Sequence, residues 1–390
     1  MPQYRRIGDV PAKRHTLHRG AGGRLAEELM GQLGFSGPSS LLYHLHSPSA
    51  LHAVDAVECV RAEPSPNEAC APFHLRLAAL SEGPDPVTGR QVLLGNRDVT
   101  VCFVRTVGSG PLYRNAAGDE IVFVYAGHAV HESVFGRLPV GPGDYVVVPA
   151  STTQRWVVEQ DDRFEALVLE ANGHVGVPAR YLGPTGQMLE GAPYSERDLR
   201  APEGPLTEEG SGVDVLVRHR GGWARHTYAD HPFDVAGWDG TLYPYAFSID
   251  DFEPIVGRVH QPPPVHQTFA GPGFVVCSFV PRLLDFDPHA VPIPYHHANT
   301  DSDEVLFYAA GEFTSRRGSG IGAGSMTLHP AGFVHGPQPG AVEAALGQTR
   351  TDETAVMVDT FAPLGISPVA RQVADDAYVS SWSRPSTSQS

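Results

Sequence analysis

The chain has 390 residues, of which 41% are hydrophobic and 18% are charged, and its formal net charge at pH 7 is −16. Such an acidic chain repels the phosphate backbone of nucleic acids, which excludes nucleic acid as an expected partner. No apolar run reaches the ~20 residues that a membrane-crossing helix needs, and the N-terminus lacks the apolar core of a secretion signal. The four cysteines have neither metal-binding nor disulfide spacing, which favours reduced thiols in the cytoplasm.

One helix is predicted near the start of the chain, and strands dominate the remainder. Leu25, Leu29 and Leu33 recur every four residues, and this spacing predicts an amphipathic helix over residues 23–33. Short β-branched or aromatic segments, separated by turn residues, then predict strands throughout the first half. These segments are residues 40–46, 74–77, 91–94, 99–105, 120–125, 144–148, 155–158 and 164–170.

The second half has the same texture of short strands and turns. Its predicted strands are residues 273–280, 304–308, 325–329 and 355–359. With 42 Gly and 35 Pro spread along the chain as turn residues, the pattern indicates an all-β sandwich or barrel. The Gly-, Pro- and Glu-rich residues 173–212 are predicted to be an exposed connection. The low-complexity tail, residues 380–390, is expected to fray unless it docks on a neighbour.

Two stretches about half a chain apart share one spacing, which indicates an internal repeat and two domains. The C-terminal copy runs from His297 to Glu304 and reaches Gly311 seven residues later. The N-terminal copy runs from Tyr113 to Glu120 and reaches Gly127 at the same distance.

The match continues downstream of both glycines. Residues 322–330 end in Leu-His-Pro and are followed five residues later by His335. Residues 141–149 end in Val-Val-Pro and are followed at the same distance by Gln154. We place the N-terminal domain at residues 1–180, a connecting segment at 181–260 and the C-terminal domain at 261–390.

Only the C-terminal copy has the side chains of a metal site. It places His297, Glu304 and His335 where the N-terminal copy has Tyr113, a glutamate and Gln154. Two neutral imidazoles and one carboxylate suit non-haem Fe(II) and leave coordination positions open for substrate and dioxygen. Tyrosine and glutamine in place of both imidazoles are a poor set for this ion, which predicts a degenerate N-terminal site.

The motif resembles the first histidine motif of cupins, which is usually His-x-His, three or four residues, Glu, six residues and Gly. Asn299 stands at the second His position, so the resemblance implies a three-ligand site. Relative to the family pattern, one residue is inserted between His297 and Glu304. His296 is therefore a rival ligand, because strand alternation would turn only one of the two histidines inward.

Most of the chain resembles the homogentisate 1,2-dioxygenases. The stretches that carry this resemblance are residues 4–6, 13–15, 40–44, 233–240, 259–260, 279–282, 294–299 and 335–337. The resemblance implies an all-β bicupin, with two barrel or jelly-roll domains and Fe(II) bound in the C-terminal one. It also implies cleavage of the aromatic ring of homogentisate to maleylacetoacetate in tyrosine and phenylalanine catabolism, in a trimer or hexamer.

The resemblance assigns roles to individual side chains. His297, Glu304 and His335 match the three iron ligands of the family, and His260 matches its active-site histidine, which contacts the substrate hydroxyl. An imidazole with a pKa near 6.5 also suits proton transfer at neutral pH. Ring opening of this kind consumes no external reductant, because the phenol itself supplies the electrons to dioxygen.

Four more side chains are candidates for the substrate pocket, and each has a plainer alternative. For His266, on a Pro-rich loop, functional and structural roles are equally weighted. Tyr295 is either a pocket residue or an ordinary rim tyrosine, and Phe313 lies in a region that lines the family's pocket. His329 lies six residues before His335 and either reaches substrate, orients a ligand or packs in the core.

The same region departs from the family pattern. In the family, an arginine and a tyrosine flank the glycine that corresponds to Gly311. Ala310 and Phe313 replace them here, so another phenolic acid such as gentisate is an alternative substrate. Arg316 or Arg317 is then the candidate for binding a substrate carboxylate. A non-catalytic, ligand-binding cupin is the alternative of another class, and the retention of all three ligands in one copy argues against it.

Overall fold

A computed structural model describes residues 3–20, 22–160 and 162–383, and most of its regular structure is β-strand. The strands are β1 (Arg5–Gly8), β2 (Arg19–Gly20), β3 (Gly23–Arg24), β4 (Ala26–Gly31), β5 (Ser39–His44), β6 (Leu51–Val57), β7 (Phe73–Arg76), β8 (Gln91–Gly95), β9 (Val99–Thr106), β10 (Tyr113–Asn115), β11 (Glu120–Ala126), β12 (Ala129–Ser133), β13 (Gly136–Val140), β14 (Asp144–Val148), β15 (Thr153–Val158), β16 (Phe164–Ala171), β17 (Leu199–Arg200), β18 (Ser211–His219), β19 (Gly222–Asp230), β20 (Val235–Gly240), β21 (Tyr245–Ser248), β22 (Gln267–Gly271), β23 (Phe274–Phe279), β24 (Arg282–Leu283), β25 (Asp303–Ala310), β26 (Ser325–His329), β27 (Arg350–Thr351), β28 (Thr354–Thr360) and β29 (Gly365–Ile366).

Helices are few and short. The α-helices are α1 (Ala341–Ala345) and α2 (Pro368–Gln372). The 3-10 helices are Leu33–Phe35, Leu77–Ala79, Ala179–Tyr181, Glu196–Asp198, Ile249–Asp251, Pro263–His266, Thr314–Arg316 and Tyr378–Ser383. The prediction of an all-β protein is confirmed, and each of the predicted strands is present. Within the described ranges, none of the helices has the length and apolar character that a membrane crossing requires.

Two large sheets form the N-terminal barrel. One has eight strands in the order β17-β21-β14-β11-β16-β9-β8-β29, and the other has seven in the order β13-β12-β15-β10-β18-β19-β6. Buried side chains of both sheets, including Val122, Val146 and Trp156, pack in one cluster between them. Alternating residues of β11 point into this cluster and away from it, as the two-residue period of a strand requires.

The C-terminal barrel is built on a six-stranded sheet in the order β22-β23-β28-β25-β26-β7. One face packs against the N-terminal barrel, where the ring of Phe307 lies 6.0 Å from that of Phe103 and 6.2 Å from that of Phe123. Because Val305 and Phe307 point to this interface, strand alternation turns Glu304 to the opposite face. The fold of the strand thus fixes the direction of the acidic side chain.

The two halves exchange short strands. Residues 73–76, in β7, pair with β26 of the C-terminal sheet, and residues 365–366, in β29, pair with β8 of the N-terminal sheet. Strands of the predicted connecting segment join the N-terminal sheets, as β17 and β21 do in the eight-stranded one. The division at residues 180 and 260 stays a prediction. The exchanged strands connect the predicted N-terminal and C-terminal domains by backbone pairing.

The helix predicted over residues 23–33 is wrong. Residues 26–31 form β4, which pairs antiparallel with β5. Met30 is buried while Leu29 is exposed, which is the alternation of a strand at an edge. A spacing of four between leucines is also an even spacing, so it fits a strand as well as a helix, and pairing with β5 decides between them.

The predicted connection and tail are more buried than expected. Tyr181, Tyr194 and Leu199 of residues 173–212 are buried in the main core. Of the predicted tail, residues 380–383 belong to the last 3-10 helix, in which Ser381 is buried, and residues 384–390 lie outside the described residues. Within the described part, the end of the chain therefore docks on the C-terminal barrel.

Candidate metal centre and substrate cavity

The two predicted histidine ligands lie on facing loops that pair with each other. The backbone N–H of His297 donates to the carbonyl of His335, and the reverse bond forms as well, both at 2.9 Å. This one-residue bridge holds the two rings 4.3 Å apart. In the N-terminal copy, Tyr113 and Gln154 are register partners in the same way, which confirms the internal repeat read from the sequence.

Local carbonyl groups fix the orientation of both rings. The Nδ1 of His297 lies 3.1 Å from the carbonyl oxygen of Tyr295, and the Nδ1 of His335 lies 3.0 Å from that of Phe333. A carbonyl only accepts, so each Nδ1 carries the proton and donates. Each Nε2 is therefore left with a lone pair, the tautomer that a metal ligand needs.

Both lone pairs point at the carboxylate of Glu304. The Nε2 of His297 lies 3.6 Å from its Oε2, and the Nε2 of His335 lies 3.2 Å from its Oε1. One ligand atom from each of the three residues falls within 4.8 Å of the others. Lone pairs facing a carboxylate repel unless a cation lies between them, so this donor set fits a divalent metal ion. In the protein without metal, the contact with Glu304 raises the pKa of His297, because a proton takes that place.

His329 braces Glu304 from inside the barrel. Its Nδ1 lies 3.0 Å from Oε1 of Glu304, and its Nε2 lies 2.8 Å from the hydroxyl of Tyr378. Burial lowers the pKa of His329 to about 3, so the ring is neutral. Nδ1–H then donates a hydrogen bond to Glu304, and Nε2 accepts a hydrogen bond from the Tyr378 hydroxyl.

The carboxylate stays ionised in this setting. Burial alone would raise the pKa of Glu304, but the imidazoles of His297, His329 and His335 around its oxygens hold that pKa well below its usual value. An anionic carboxylate between two imidazoles has the charge and shape that a hard or borderline divalent ion prefers. The last 3-10 helix also supports this region, because the indole N–H of Trp382 donates to the carbonyl of Gly336 at 3.1 Å.

The choice between His296 and His297 follows from their placement. His297 is half-buried and belongs to the metal-binding group, whereas His296 is exposed and does not. The ring of His296 packs over Gly336, where a Cβ would lie 2.6 Å from its Nδ1. The structure therefore brings His297, Glu304 and His335 together and leaves His296 outside.

A cavity of about 300 Å³ opens beside His297 and Glu304. Among the predicted pocket residues, His260, His266, Tyr295 and Phe313 all line it. His329 does not line it, because it is fully buried behind Glu304. This position fits the alternative in which His329 orients a ligand, and it separates the ring from any substrate in the cavity.

The two predicted loop histidines have different surroundings. His260 is partly exposed at the cavity rim, with its Nδ1 3.8 Å from Oδ2 of Asp285 and its ring edge-on to Tyr295 at 5.2 Å. His266 is buried and packs on Phe279 with ring centroids 4.7 Å apart. Burial, with smaller effects from Arg282 and His260, lowers the pKa of His266 to about 3. His266 is thus a neutral wall residue, while His260 is in contact with solvent.

Arg316, and not Arg317, points into the cavity. Arg316 is 6% exposed and lines the cavity, whereas the Arg317 side chain is 58% exposed and lies beside Glu312. Phe313 packs edge-on against Tyr308, 4.7 Å between centroids, and Ala310 is exposed at the end of β25. The loop after Gly311 therefore supplies one aromatic wall and one cation to the site.

In the N-terminal barrel a guanidinium group contacts the acidic residue of the degenerate copy. Arg90 donates to Oε1 and Oε2 of Glu120 at 2.7 and 3.2 Å, and the hydroxyl of Tyr113 also donates to Oε1. The glutamate of the degenerate copy is therefore hydrogen-bonded to side chains of its own barrel. Sequence reasoning missed Arg90 because it lies 30 residues before its partner, outside the repeated motif.

Two β-barrels, one of which holds two imidazoles and a carboxylate beside a cavity, define a two-domain cupin with a candidate metal site in its C-terminal barrel. Residues 101–249 match the family described as homogentisate 1,2-dioxygenase N-terminal, and residues 244–388 match homogentisate 1,2-dioxygenase C-terminal. The chain belongs to the homogentisate 1,2-dioxygenase family. The resemblance that the sequence motifs indicated is thereby confirmed, and the protein is a dioxygenase by family.

Individual relatives agree with this assignment. A Saccharolobus solfataricus protein, named only provisionally as a dioxygenase, is 39% identical and aligns over 97% of this chain and 98% of its own. Homogentisate 1,2-dioxygenase of Bradyrhizobium diazoefficiens is 25% identical over 96% of this chain and 90% of its own. Among solved structures, protein Ylba of E. coli is 10% identical, covers 77% of this chain and 94% of its own, and has a TM-score of 0.34.

Proposed function

We propose that this protein is an Fe(II)-dependent dioxygenase that opens the aromatic ring of homogentisate to give maleylacetoacetate. The observation that carries the proposal is the group of His297, Glu304 and His335, of which His297 and Glu304 line a cavity large enough for a single-ring acid. Bound Fe(II) would supply the redox chemistry, bringing a phenol and dioxygen together and passing electron density between them. Both oxygen atoms enter the product, and the substrate is the reductant.

The side chains around the cavity would bind and orient the substrate. Phe279 and Phe313 offer aromatic faces to the ring, and His266 packs behind Phe279. Tyr295 narrows the entrance beside His260. Apolar walls of this kind exclude water, so that the few polar groups of the site act in a low dielectric.

His260 is our candidate for the residue that binds the hydroxyl remote from the metal and accepts its proton. It lies at the rim, where one ring nitrogen faces Asp285 and the ring remains in contact with solvent. A carboxylate beside one nitrogen stabilises the imidazolium that forms when the other nitrogen takes a proton. A proton can then pass to water without crossing the apolar interior.

Replacing His260 by glutamine is expected to lower kcat by about 100-fold or more, because glutamine can hydrogen bond but cannot accept the proton. Iron content should not change, since His260 lies outside the group of ligands. His289→Gln is the matched control, because its side chain is 95% exposed and also lies beside a single aspartate. Steady-state oxygen uptake with metal analysis checks both variants. Wild-type kcat in H260Q would remove His260 from the reaction.

His329 and Tyr378 are proposed to position the metal ligand and not to touch substrate. The chain from the Tyr378 hydroxyl through His329 to Glu304 fixes which carboxylate oxygen is engaged and leaves the other for the metal. Groups that orient ligands in this way tune metal affinity. This role explains why a fully buried histidine lies six residues before a ligand candidate.

A second candidate substrate is another hydroquinone acid such as gentisate. Two substitutions support this candidate. Phe313 places a hydrophobic ring where the family has the hydroxyl of a tyrosine, and Ala310, which is exposed, replaces an arginine. A shorter or differently placed acid side chain would then fit the cavity better. The chemistry at the three ligands would be the same.

Oxygen uptake separates these candidates. The protein is loaded with Fe(II) without oxygen, desalted and mixed with aerated homogentisate or gentisate in parallel. We expect uptake with homogentisate, together with the absorbance of a ring-opened product. Uptake with gentisate alone would favour the second substrate. Bound iron with no uptake for any phenol would identify a binding protein without turnover.

A further inference from the structure

A buried arginine in the cavity has no acidic partner among the residues that the structure describes. The side chain of Arg316 donates from Nε to the hydroxyl of Tyr308 at 3.0 Å and from Nη1 to the carbonyl of Gly336 at 2.9 Å. Both partners are uncharged. No carboxylate of residues 3–20, 22–160 or 162–383 lies within 4.0 Å of its guanidinium, and Nη2 has no hydrogen-bond partner there. A buried charge without a counter-charge is costly, which indicates that an anion completes this site.

The loop that carries Arg316 is built to bring it inward. Gly311 ends β25 with φ +86°, and a Cβ there would lie 2.2 Å from the carbonyl oxygen of Asp352. Only glycine allows this close turn. The chain then enters the 3-10 helix Thr314–Arg316, whose last side chain is turned to the cavity while Arg317 is turned to solvent.

The remaining charges of the cavity wall leave a positive surplus. Arg282 is neutralised by Glu353, whose Oε1 accepts from Nη2 at 3.0 Å. Glu304 offsets one of the two charges of a divalent ion at the metal site. Arg316 adds one more charge, so the loaded site is positive by two charges when the histidines are neutral. A phenolate that also carries a carboxylate supplies the two negative charges that balance it.

The contact with Gly336 indicates where that carboxylate lies. Gly336 directly follows His335, so the guanidinium of Arg316 is anchored one residue from a ligand candidate. A carboxylate bound by Nη2 therefore lies on the same side of the cavity as the metal-facing hydroxyl. This geometry suits an acid group on the ring carbon next to that hydroxyl, directly or through one methylene, and disfavours a para acid.

We propose that Arg316 is the specificity-determining residue of this site, binding the carboxylate of an ortho-hydroxylated aromatic acid. The proposal rests on the proposed function in one respect, namely that a hydroxyl group of the substrate faces the metal. It does not require turnover, because an anion binds Arg316 whether or not the ring is opened. Arg316 would then supply the hydrogen-bond donor for the substrate carboxylate, although this chain has Ala310 where the family has an arginine.

Binding without oxygen tests the proposal directly. Two probes share one phenol ring and differ in charge: 2-hydroxyphenylacetate and its neutral amide, 2-hydroxyphenylacetamide. Calorimetry on the Fe(II)-loaded protein should give tighter binding of the acid by about 10- to 100-fold, as expected for a hydrogen bond to a charged group. Arg316→Met should bring this ratio close to one, because it weakens binding of the acid far more than binding of the amide. Arg317→Met is the matched control and should keep the wild-type ratio.

Arg316→Lys keeps the positive charge but loses the planar guanidinium group that can donate two parallel hydrogen bonds. It should therefore retain part of the preference for the acid. It also covers the case in which the methionine variant does not fold. Equal weakening of acid and amide in both variants would mean that Arg316 only braces Tyr308 and Gly336, and would overturn the proposal. A wild-type protein that does not prefer the acid would do the same. Acid preference without oxygen uptake from any phenol would instead reject the proposed function alone.

Discussion

His297→Ala is expected to lose iron and to lower oxygen uptake by about 1,000-fold or more, because the metal supplies several kcal/mol of transition-state stabilisation. Of the ligand group, the variant leaves Glu304 and His335. The side chain of His297 is 30% exposed and lies on a loop, so the fold should persist. Metal analysis after anaerobic loading and desalting measures the first effect, and an oxygen electrode the second.

The adjacent histidine provides a control that few metal sites offer. His296→Ala removes the same side chain one position away, from a ring that is exposed and packs over Gly336. We expect this variant to retain wild-type iron content and oxygen uptake. The reverse result, with iron lost from H296A and kept by H297A, would shift the ligand by one residue and contradict the placement of both rings.

The sequence was sufficient to predict that His297, Glu304 and His335 lie together, because two independent signals agreed. The spacing from His297 through Glu304 to His335 has a chemical meaning on its own, and the copy at Tyr113, Glu120 and Gln154 shows the same spacing without metal chemistry. A motif that recurs with its ligands replaced indicates both the fold and the site.

Contacts that depend on distant parts of the chain could not be predicted in this way. The hydroxyl of Tyr378, 49 residues after His329, completes the support of Glu304 from a segment just before the predicted tail, which no motif linked to the site. The strand at residues 73–76 pairs with β26 in the other half of the chain. Neither pairing leaves a periodic trace in the sequence, because both are set by how the two barrels pack.

The direction of a cavity residue was also beyond the sequence. Arg316 and Arg317 are adjacent and chemically identical, and only the 3-10 helix that ends at Arg316 turns one inward and the other to solvent. The same reasoning explains the wrong helix prediction at residues 23–33, where a leucine spacing of four residues fits the period of a strand as well as that of a helix. Local pattern limits the choices, and long-range packing selects among them.

Arg90→Met is expected to destabilise the N-terminal barrel by about 3–5 kcal/mol, the cost of leaving buried charges without a partner. Arg90 lies between Glu120 and Glu170, donating to both from one nitrogen at 2.7 and 2.9 Å. All three side chains are no more than 2% exposed. The guanidinium thus contacts the acid that corresponds to Glu304, and it does so with charge and fixed geometry where the other barrel would use a metal ion.

Removing the cation leaves two carboxylates facing each other in the interior. Glu170 retains Arg61, whose Nη1 lies 2.7 Å from its Oε2, but Glu120 keeps only the neutral donors of the degenerate copy. Glu120→Gln in the same chain should therefore recover part of the lost stability, because it removes the unpaired charge. Such recovery identifies charge, and not lost packing, as the cause of the destabilisation.

Urea unfolding followed by tryptophan fluorescence measures this effect, since Trp156 and Trp223 belong to the core cluster of that barrel. Arg97→Met is the control, because this side chain is 82% exposed and its nearest carboxylate is 3.6 Å away. Its effect should stay within about 0.5 kcal/mol. Iron bound per folded chain should be the same in all three variants, because the ligand group lies in the other barrel. If R90M were as stable as the wild type, the guanidinium would not be what replaces the metal in holding this half of the repeat together.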